Sequence, residues 1–521
     1  MKRRSFLKAL GAGAAGVGLG MLPRIARAAS WGDVDPTVWS PGTGPATSVL
    51  EIYLWGGMAP WESFYYRPAG GGTTRGFDAD VSALAWNPAC PGTPSGLVSQ
   101  FLANDLSGAG KAIHLGPFAR PLWRSDIRAR TRVVVMQHDL LPHEAAIPYA
   151  LSGRRLGRPD ATGLGAPIQR RARALDASDQ HPLPFAYCLV PSLAIGNPMF
   201  YALDAVGNHG GNAKPVVLPI GSGTGSFLAS LHRVVPDGAD AVLAQYAAQY
   251  GNRLKRSGSS TLVRSAAFGD YASSSMGLAA VPSLSTLLTG APLTPGAAAF
   301  CSTDTGAFAA GSHFAGSALR TAAYLLNHPD ATRRARYVGV VDGGLNNQGF
   351  AYDVHDSGGP PGQAQRTSSN LWETLAALAG IIRAPGDPPD PLKIDLESTL
   401  IVIKTEFGRT PFRSSGGSPS ATSSGRDHWP DGYVNVLIGG PIQSAGVVGA
   451  ISDGTGDTGQ GVADPNANYK PQDIQAAVLL GVGIDPFADG NLPLGDLTAS
   501  LQAASHPAAM VNIRHTILGV P

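Results

Sequence analysis

The sequence predicts an α/β protein: a mostly parallel sheet covered by helices on both faces, with a Gly/Ala/Ser-rich insertion in its middle. Two observations carry this class. Runs of branched apolar residues, which suit a covered strand, alternate with segments of helical periodicity from about Ser312 onward. That alternation implies parallel pairing through helical crossovers. The second observation is size, since 521 residues at 43% hydrophobic content can bury a large core. The 67 glycines and 42 prolines exceed ordinary usage and predict many turns and long loops.

The chain opens with "MKRRSFLKALGAGAAGVGLGMLPRIARAAS". Arg3-Arg4 followed by Ser5-Phe6-Leu7-Lys8 matches the twin-arginine export consensus. The apolar stretch Ala9 to Leu22 is glycine-rich and too short to span a bilayer. Ala26-Arg27-Ala28 supplies a small-x-small cleavage pattern, so residues 1–28 are expected to be a signal peptide. The expected partner is the twin-arginine export machinery and the expected location is the periplasm or the exterior. No stable transmembrane anchor is expected, because no later run is long and apolar enough.

Residues 29–521 are expected to form a single α/β domain. "TSVLEIYLWGG" from Thr47 reads as a first buried strand ending at Gly-Gly, and "RVVVMQHD" from Arg132 as a second, followed by the helical "HEAAIPYALSGR". Residues 156–311, rich in Gly, Ala, Ser and Pro, are expected to be an insertion or cap. Regularity then returns. "SALRTAAYLLNH" is helical, "RYVGVVDGG" a strand, "SNLWETLAALAGIIR" an amphipathic helix, "TLIVIK" a strand and "GYVNVLIGGPI" another. "KPQDIQAAVLLGVGID" closes the series as a helix with Pro471 in its first turn and Gly481 as its stop.

Charge and cysteine content exclude several classes. Lys+Arg 39 against Asp+Glu 37 leaves no nucleic-acid footprint. Three cysteines, Cys90, Cys188 and Cys301, form no CxxC pair, which argues against an iron–sulfur cluster or zinc ribbon. They allow one disulfide with one thiol left over and require none.

In open α/β sheets, ligands gather beyond the carboxyl ends of the strands. Four pieces stand out: "HDLLPHEAA", "AYDVHD" and "TEFGRT" after strands, and "GRDHWPDGY" in the loop leading to the next strand, at a distance from Glu406 that the sequence does not give. They supply His138, His143, Glu144, Asp353, His355, Glu406, Asp427 and His428, with Arg409 and Arg426. Carboxylates mixed with imidazoles suit a divalent metal, Zn²⁺, Mn²⁺ or Ca²⁺. The expected metal ligands are Asp353, His355, Glu406, Asp427 and His428. Arg409, Arg426 and His143 are expected to bind substrate, the arginines forking onto a sulfate or phosphate. Plainer roles also fit. Glu406 and Arg409 suit an ion pair capping a turn, His143 a helix start, Asp427 a turn, and Ser152 a helix end, since G-x-S-x-G is absent. The remaining histidines, His114 among them, read as surface or loop residues.

The leader, "LWGG", "VVDGG…YDVH", "NLWETLAAL", "TEFGRTP", "GRDHWPDGY" and "GVVGA" occur in this order. In this the chain resembles the bacterial domain-of-unknown-function 1501 family of exported proteins, itself distantly similar to sulfatases and the alkaline phosphatase superfamily. The resemblance implies that superfamily's fold and a metal site. "TLIVIKTEFG" resembles the sulfatase strand "TLVIVTSDHG", with Glu406 at the Asp position and Phe407 in place of the His. His428 resembles a later metal-binding histidine, and Asp353 and His355 the middle ligand pair. Two departures weigh against ester chemistry by a covalent intermediate. The first strand ends "LWGGMAP" without a carboxylate until Glu62, and no hydroxyl or thiol lies between His138 and His143. A cation that lowers the pKa of a coordinated water then supplies the nucleophile. The function this implies is an exported metal-dependent hydrolase of sulfate, phosphate or related esters, acting on a small anionic ester or a polymer. The alternative is a non-catalytic exported binding or scaffold protein with a degenerate site.

Overall fold

A computed structural model describes residues 34, 38–39, 43–61, 63–66, 113–157, 162–175, 187–191, 215–218, a few positions from 241 to 253, 315–342, 352–353, 363–410, 427–451, 461–466, 468–488 and 492–521. The expected signal peptide and most of the expected insertion therefore lie outside the described residues. So do Glu62, Cys90, Cys301, His355 and Arg426.

An eight-stranded sheet organises the molecule. Its strands are β1 (Ser48–Leu54), β2 (Thr131–Met136), β3 (Tyr187–Pro191), β4 (Val216–Val217), β5 (Tyr337–Asp342), β6 (Thr399–Lys404), β9 (Tyr433–Gly439) and β10 (Gly446–Val448). Two short strands, β7 (Gly408–Arg409) and β8 (His428–Trp429), pair separately. The spatial order is β10-β2-β9-β6-β1-β5-β3-β4. Every sheet strand runs one way except β9, which is antiparallel to both β2 and β6. The expected class, a mostly parallel α/β sheet, is the one observed. Strands β3 and β4 come from within residues 156–311 and extend one edge of the sheet.

Alternation along the strands explains the layers. Leu50, Ile52 and Leu54 of β1, with Val338, Val340, Ile401 and Ile403, enter one apolar cluster. Helices α4 (Ala315–Leu326) and α5 (Gln363–Ile381) cover it through Leu319, Ala322, Leu371, Leu375 and Leu378. Val49, Val134, Leu400, Val402 and Leu437 point the other way. They meet α6 (Pro471–Gly481), α7 (His506–Ile513) and α3 (Gly165–Leu175). Successive strand side chains face opposite sides, so a strand clothed on both faces reads as one unbroken apolar run.

Glu51 and Lys404 interrupt the second face. They lie on neighbouring strands with Lys404 Nζ 3.2 Å from Glu51 Oε2, both buried. Burial lifts the Glu51 carboxyl above its usual range, opposed by Lys404.

The helix α6 begins with Pro471 in its first turn, as expected. Gly481 is its last residue but not its left-handed terminator; that residue is Gly483, at φ +75°. Gly481 is small because a Cβ there would sit 2.8 Å from Leu400 Cδ2. His114 is a correction to the surface reading: it is buried, its backbone exchanging hydrogen bonds with Tyr66. Cys188 is buried in β3. Among the described residues, no helix is long and apolar enough to cross a membrane.

Candidate metal centre

The carboxyl ends of β1, β5, β6 and β2 lie along one edge of the sheet, and antiparallel β9 begins at that same edge. Five segments deliver side chains there: Trp55–Gly57 after β1, residues 352–353 after β5, Thr405–Arg409 after β6, residues 137–143 after β2, and residues 427–429 before β9.

Two glycines allow this convergence. Gly56 has φ +114°, and a Cβ on it would lie 2.0 Å from the backbone nitrogen of Asp353. Gly57 has φ +93°, with the Phe407 ring 2.9 Å from its notional Cβ. Both conformations favour glycine, and the close approach at Gly56 admits no other residue without a backbone shift. The "LWGG" stretch therefore lets β1 end against two other site segments. Asp353 is steadied from behind, because Tyr352 donates to Asp342 Oδ2 at 3.0 Å and Thr374 of α5 donates to the same oxygen.

Glu406 is fully buried. Its Oε1 accepts from the Gly56 N–H at 2.7 Å and lies 2.8 Å from His143 Nδ1. Its Oε2 accepts from Tyr53 Oη at 3.0 Å, with Thr405 Oγ1 at 3.3 Å. Donors thus surround this buried carboxylate on the side behind His143.

His143 opens helix α2 (His143–Ser152). Its other ring nitrogen, Nε2, is buried and lies 3.3 Å from Asp353 Oδ1. His428 presents its Nε2 to the same oxygen at 3.9 Å, while its Nδ1 sits 2.6 Å from the Leu141 carbonyl. The pairing of β7 with β8 sets Arg409 opposite His428. Phe407 stacks on His428 at 4.2 Å between ring centroids, and the two imidazoles meet edge-on at 4.4 Å. His143, Asp353 and His428 thus place three ligand-capable atoms within 4.8 Å of one another.

Charge compensation is local. Burial works against a charged His143, yet hydrogen bonds to Asp353 and Glu406 overcome it and raise its pKa to about 9. Burial alone would lift the Asp353 carboxyl, but His143, His428 and Arg409 hold it far below the usual carboxylate range. Arg409 is fully buried and donates through Nη2 to Asp353 Oδ1 at 2.6 Å and to the Gly56 carbonyl.

Of the residues singled out from sequence, Asp353, Glu406, His428, His143 and Arg409 come together. Their arrangement is layered: His143, Asp353 and His428 face one another, whereas Glu406 and Arg409 stand behind them. The partner of Arg409 is Asp353, and Glu406 pairs with His143, so the two do not form one turn-capping ion pair. Asp427 is held by backbone pairing to Thr410, whose N–H donates to the Asp427 carbonyl at 3.0 Å. Ser152 is a helix-end residue, its hydroxyl 2.6 Å from the Pro148 carbonyl. Sequence reasoning missed Tyr53, Gly56 and Thr405. The available signal was a tyrosine next to the last residue of a mostly aliphatic strand and a glycine pair just beyond it.

No curated protein matches the chain. Residues 309–492, which carry α4, β5, α5, β6 to β10, α6 and the site residues Asp353, Glu406, Arg409 and His428, match a family described as Protein of unknown function (DUF1501).

Proposed function

We propose that this protein is an exported, divalent-metal-dependent hydrolase of sulfate, phosphate or related esters, with His143, Asp353 and His428 holding the cation. One observation carries the metal reading. Each imidazole has its Nδ1 at an acceptor, Glu406 Oε1 at 2.8 Å and the Leu141 carbonyl at 2.6 Å, while each Nε2 turns toward Asp353 Oδ1. Metal-ligating histidines are held in this way, by an acceptor on the nitrogen that does not bind metal. The buried Nε2 of His143, 3.3 Å from Asp353 Oδ1, fits the same role. Two imidazole nitrogens and one carboxylate oxygen suit Zn²⁺ or Mn²⁺ and serve Ca²⁺ poorly, since it takes six to eight oxygens.

A cation there supplies Lewis acidity and a lowered pKa for a coordinated water. Around it, Glu406 fixes the tautomer of His143 and raises its basicity. Arg409 shares Asp353, which limits the negative charge facing an incoming anion. Export rests on the twin-arginine leader, and the ester class on the likeness of "TLIVIKTEFG" to a sulfatase strand.

The scaffold reading has one observation in its favour. Arg409 and His143 already neutralise Asp353 and Glu406 with side chains alone. The test is turnover of aryl phosphate and aryl sulfate esters by protein loaded with Zn²⁺ or Mn²⁺, beside chelated protein and His428→Ala. Cation-dependent turnover that falls at least about 100-fold in the variant supports the hydrolase. Metal bound without turnover on either ester supports the scaffold.

A further inference from the structure

His138 belongs to none of the roles above, yet it touches three of the segments that build the site. It is buried, at the end of β2. Its backbone N–H donates to the Pro430 carbonyl at 3.0 Å, two residues beyond His428. Its ring Nε2 lies 2.6 Å from the backbone carbonyl of Glu406. Its ring Nδ1 accepts from the Leu140 N–H at 3.1 Å, within the loop that ends at His143. The edges of Tyr149 and Tyr433 close around the ring, at 5.6 and 5.3 Å between centroids.

These contacts specify one protonation state. Nδ1 accepts, so it carries no proton; Nε2 must then carry the proton that meets the Glu406 carbonyl. Burial among aromatic rings, which disfavours a charged imidazole, agrees with a neutral ring.

We infer that His138 is a positioning residue for the cation site. Its neutral Nε2–H tautomer ties the loop bearing His143 to the strand end bearing Glu406, and its backbone ties both to the turn after His428. The inference rests on the cation role of His143, Asp353 and His428, but its geometric content can be tested without metal.

Three substitutions separate the contacts. His138→Gln keeps a donor near the Nε2 position, His138→Asn keeps an acceptor near Nδ1, and His138→Phe keeps only the ring. The first measurement is Zn²⁺ affinity by chelator competition. Affinity should fall about 10- to 100-fold in His138→Asn and His138→Phe, the range for losing an outer partner of a metal site. His138→Gln should stay within about threefold of wild type. The second measurement is the imidazole ¹⁵N spectrum of metal-free protein. His143 and His428 signals should move in the Asn and Phe variants and keep their wild-type positions in the Gln variant. A role in stability alone would lower the melting temperature of all three without this pattern. Gln behaving like Phe in both measurements, or wild-type values throughout, overturns the inference. Should wild type bind no Zn²⁺, the cation reading fails and the imidazole signals alone decide the positioning role. Should the variants not fold, the wild-type spectrum decides: an Nε2–H signal for His138 supports the inference and an Nδ1–H tautomer overturns it.

Discussion

Glu406→Gln separates a residue that supports a metal ligand from one that merely fills a buried corner. The substitution keeps side-chain length and one acceptor oxygen. In the fold, that oxygen must serve the Gly56 N–H, which can only donate, and so also faces His143 Nδ1. The new amide group then faces the hydroxyls of Tyr53 and Thr405, which can rotate to accept. The main loss is charge. A hydrogen bond to a charged group contributes about 1.5–3 kcal/mol, against about 0.5–1.5 for a neutral one. Relief from burying a carboxylate offsets part of this, so metal-free stability should drop by only about 1 kcal/mol. Cation affinity should fall further, about 10- to 100-fold, because His143 loses the carboxylate that orients it and raises its basicity. That range corresponds to roughly 1.4–2.8 kcal/mol. The assay pairs Zn²⁺ competition with urea unfolding of the chelated protein. An unchanged Zn²⁺ affinity beside a clear stability loss would refute the reasoning, leaving Glu406 a structural residue.

Other parts of the fold give equally direct expectations. Lys404→Met strands Glu51 as a buried carboxylate and should cost about 3–5 kcal/mol, whereas the double variant with Glu51→Leu should recover most of it, as read from denaturant midpoints. Gly56→Ala, with a Cβ 2.0 Å from the Asp353 backbone nitrogen, should lose at least about 3 kcal/mol; wild-type thermal stability would show that the glycine is dispensable. Burial raises the pKa of Glu373 from 4.5 to about 7. The folded state therefore holds this proton longer than the unfolded chain. Its contribution is most favourable below about pH 4.5 and declines as pH rises to about 7, by about 1–3 kcal/mol. Glu373→Gln, which mimics the protonated form, should flatten that part of the stability–pH curve.

The layers and most strands were legible because a strand covered on both faces needs an unbroken run such as Leu400 to Ile403, whatever it pairs with. The direction of β9 was not legible for the same reason. "YVNVLIG" is buried throughout, and a fully buried strand has the same apolar pattern whether its neighbours run parallel or antiparallel. Strand ends could be read as well, which put Asp353, Glu406 and Arg409 at one edge of the sheet; that His428 joins them from the loop before β9 was not legible. Their layering was hidden. Whether a carboxylate faces an open cleft or lies behind a histidine depends on which donors surround it, and for Glu406 those are Gly56 and Tyr53, about 350 residues away in the chain. Tyr53 reads in sequence as another core aromatic, and only the fold shows its hydroxyl reaching a carboxylate.

Metal stoichiometry tests the central claim most directly. Full-length protein, equilibrated with equal Zn²⁺ and Mn²⁺ and freed of loosely held ions by gel filtration, would be analysed for both elements and for Ca²⁺. The same procedure would be applied to His143→Ala, Asp353→Asn and His428→Ala. The expected result is about one Zn²⁺ or Mn²⁺ per chain in the wild type, no retained Ca²⁺, and less than about a tenth of that metal in each variant. A wild type without stoichiometric metal, or variants that keep it, would contradict the assignment of His143, Asp353 and His428 as the cation site.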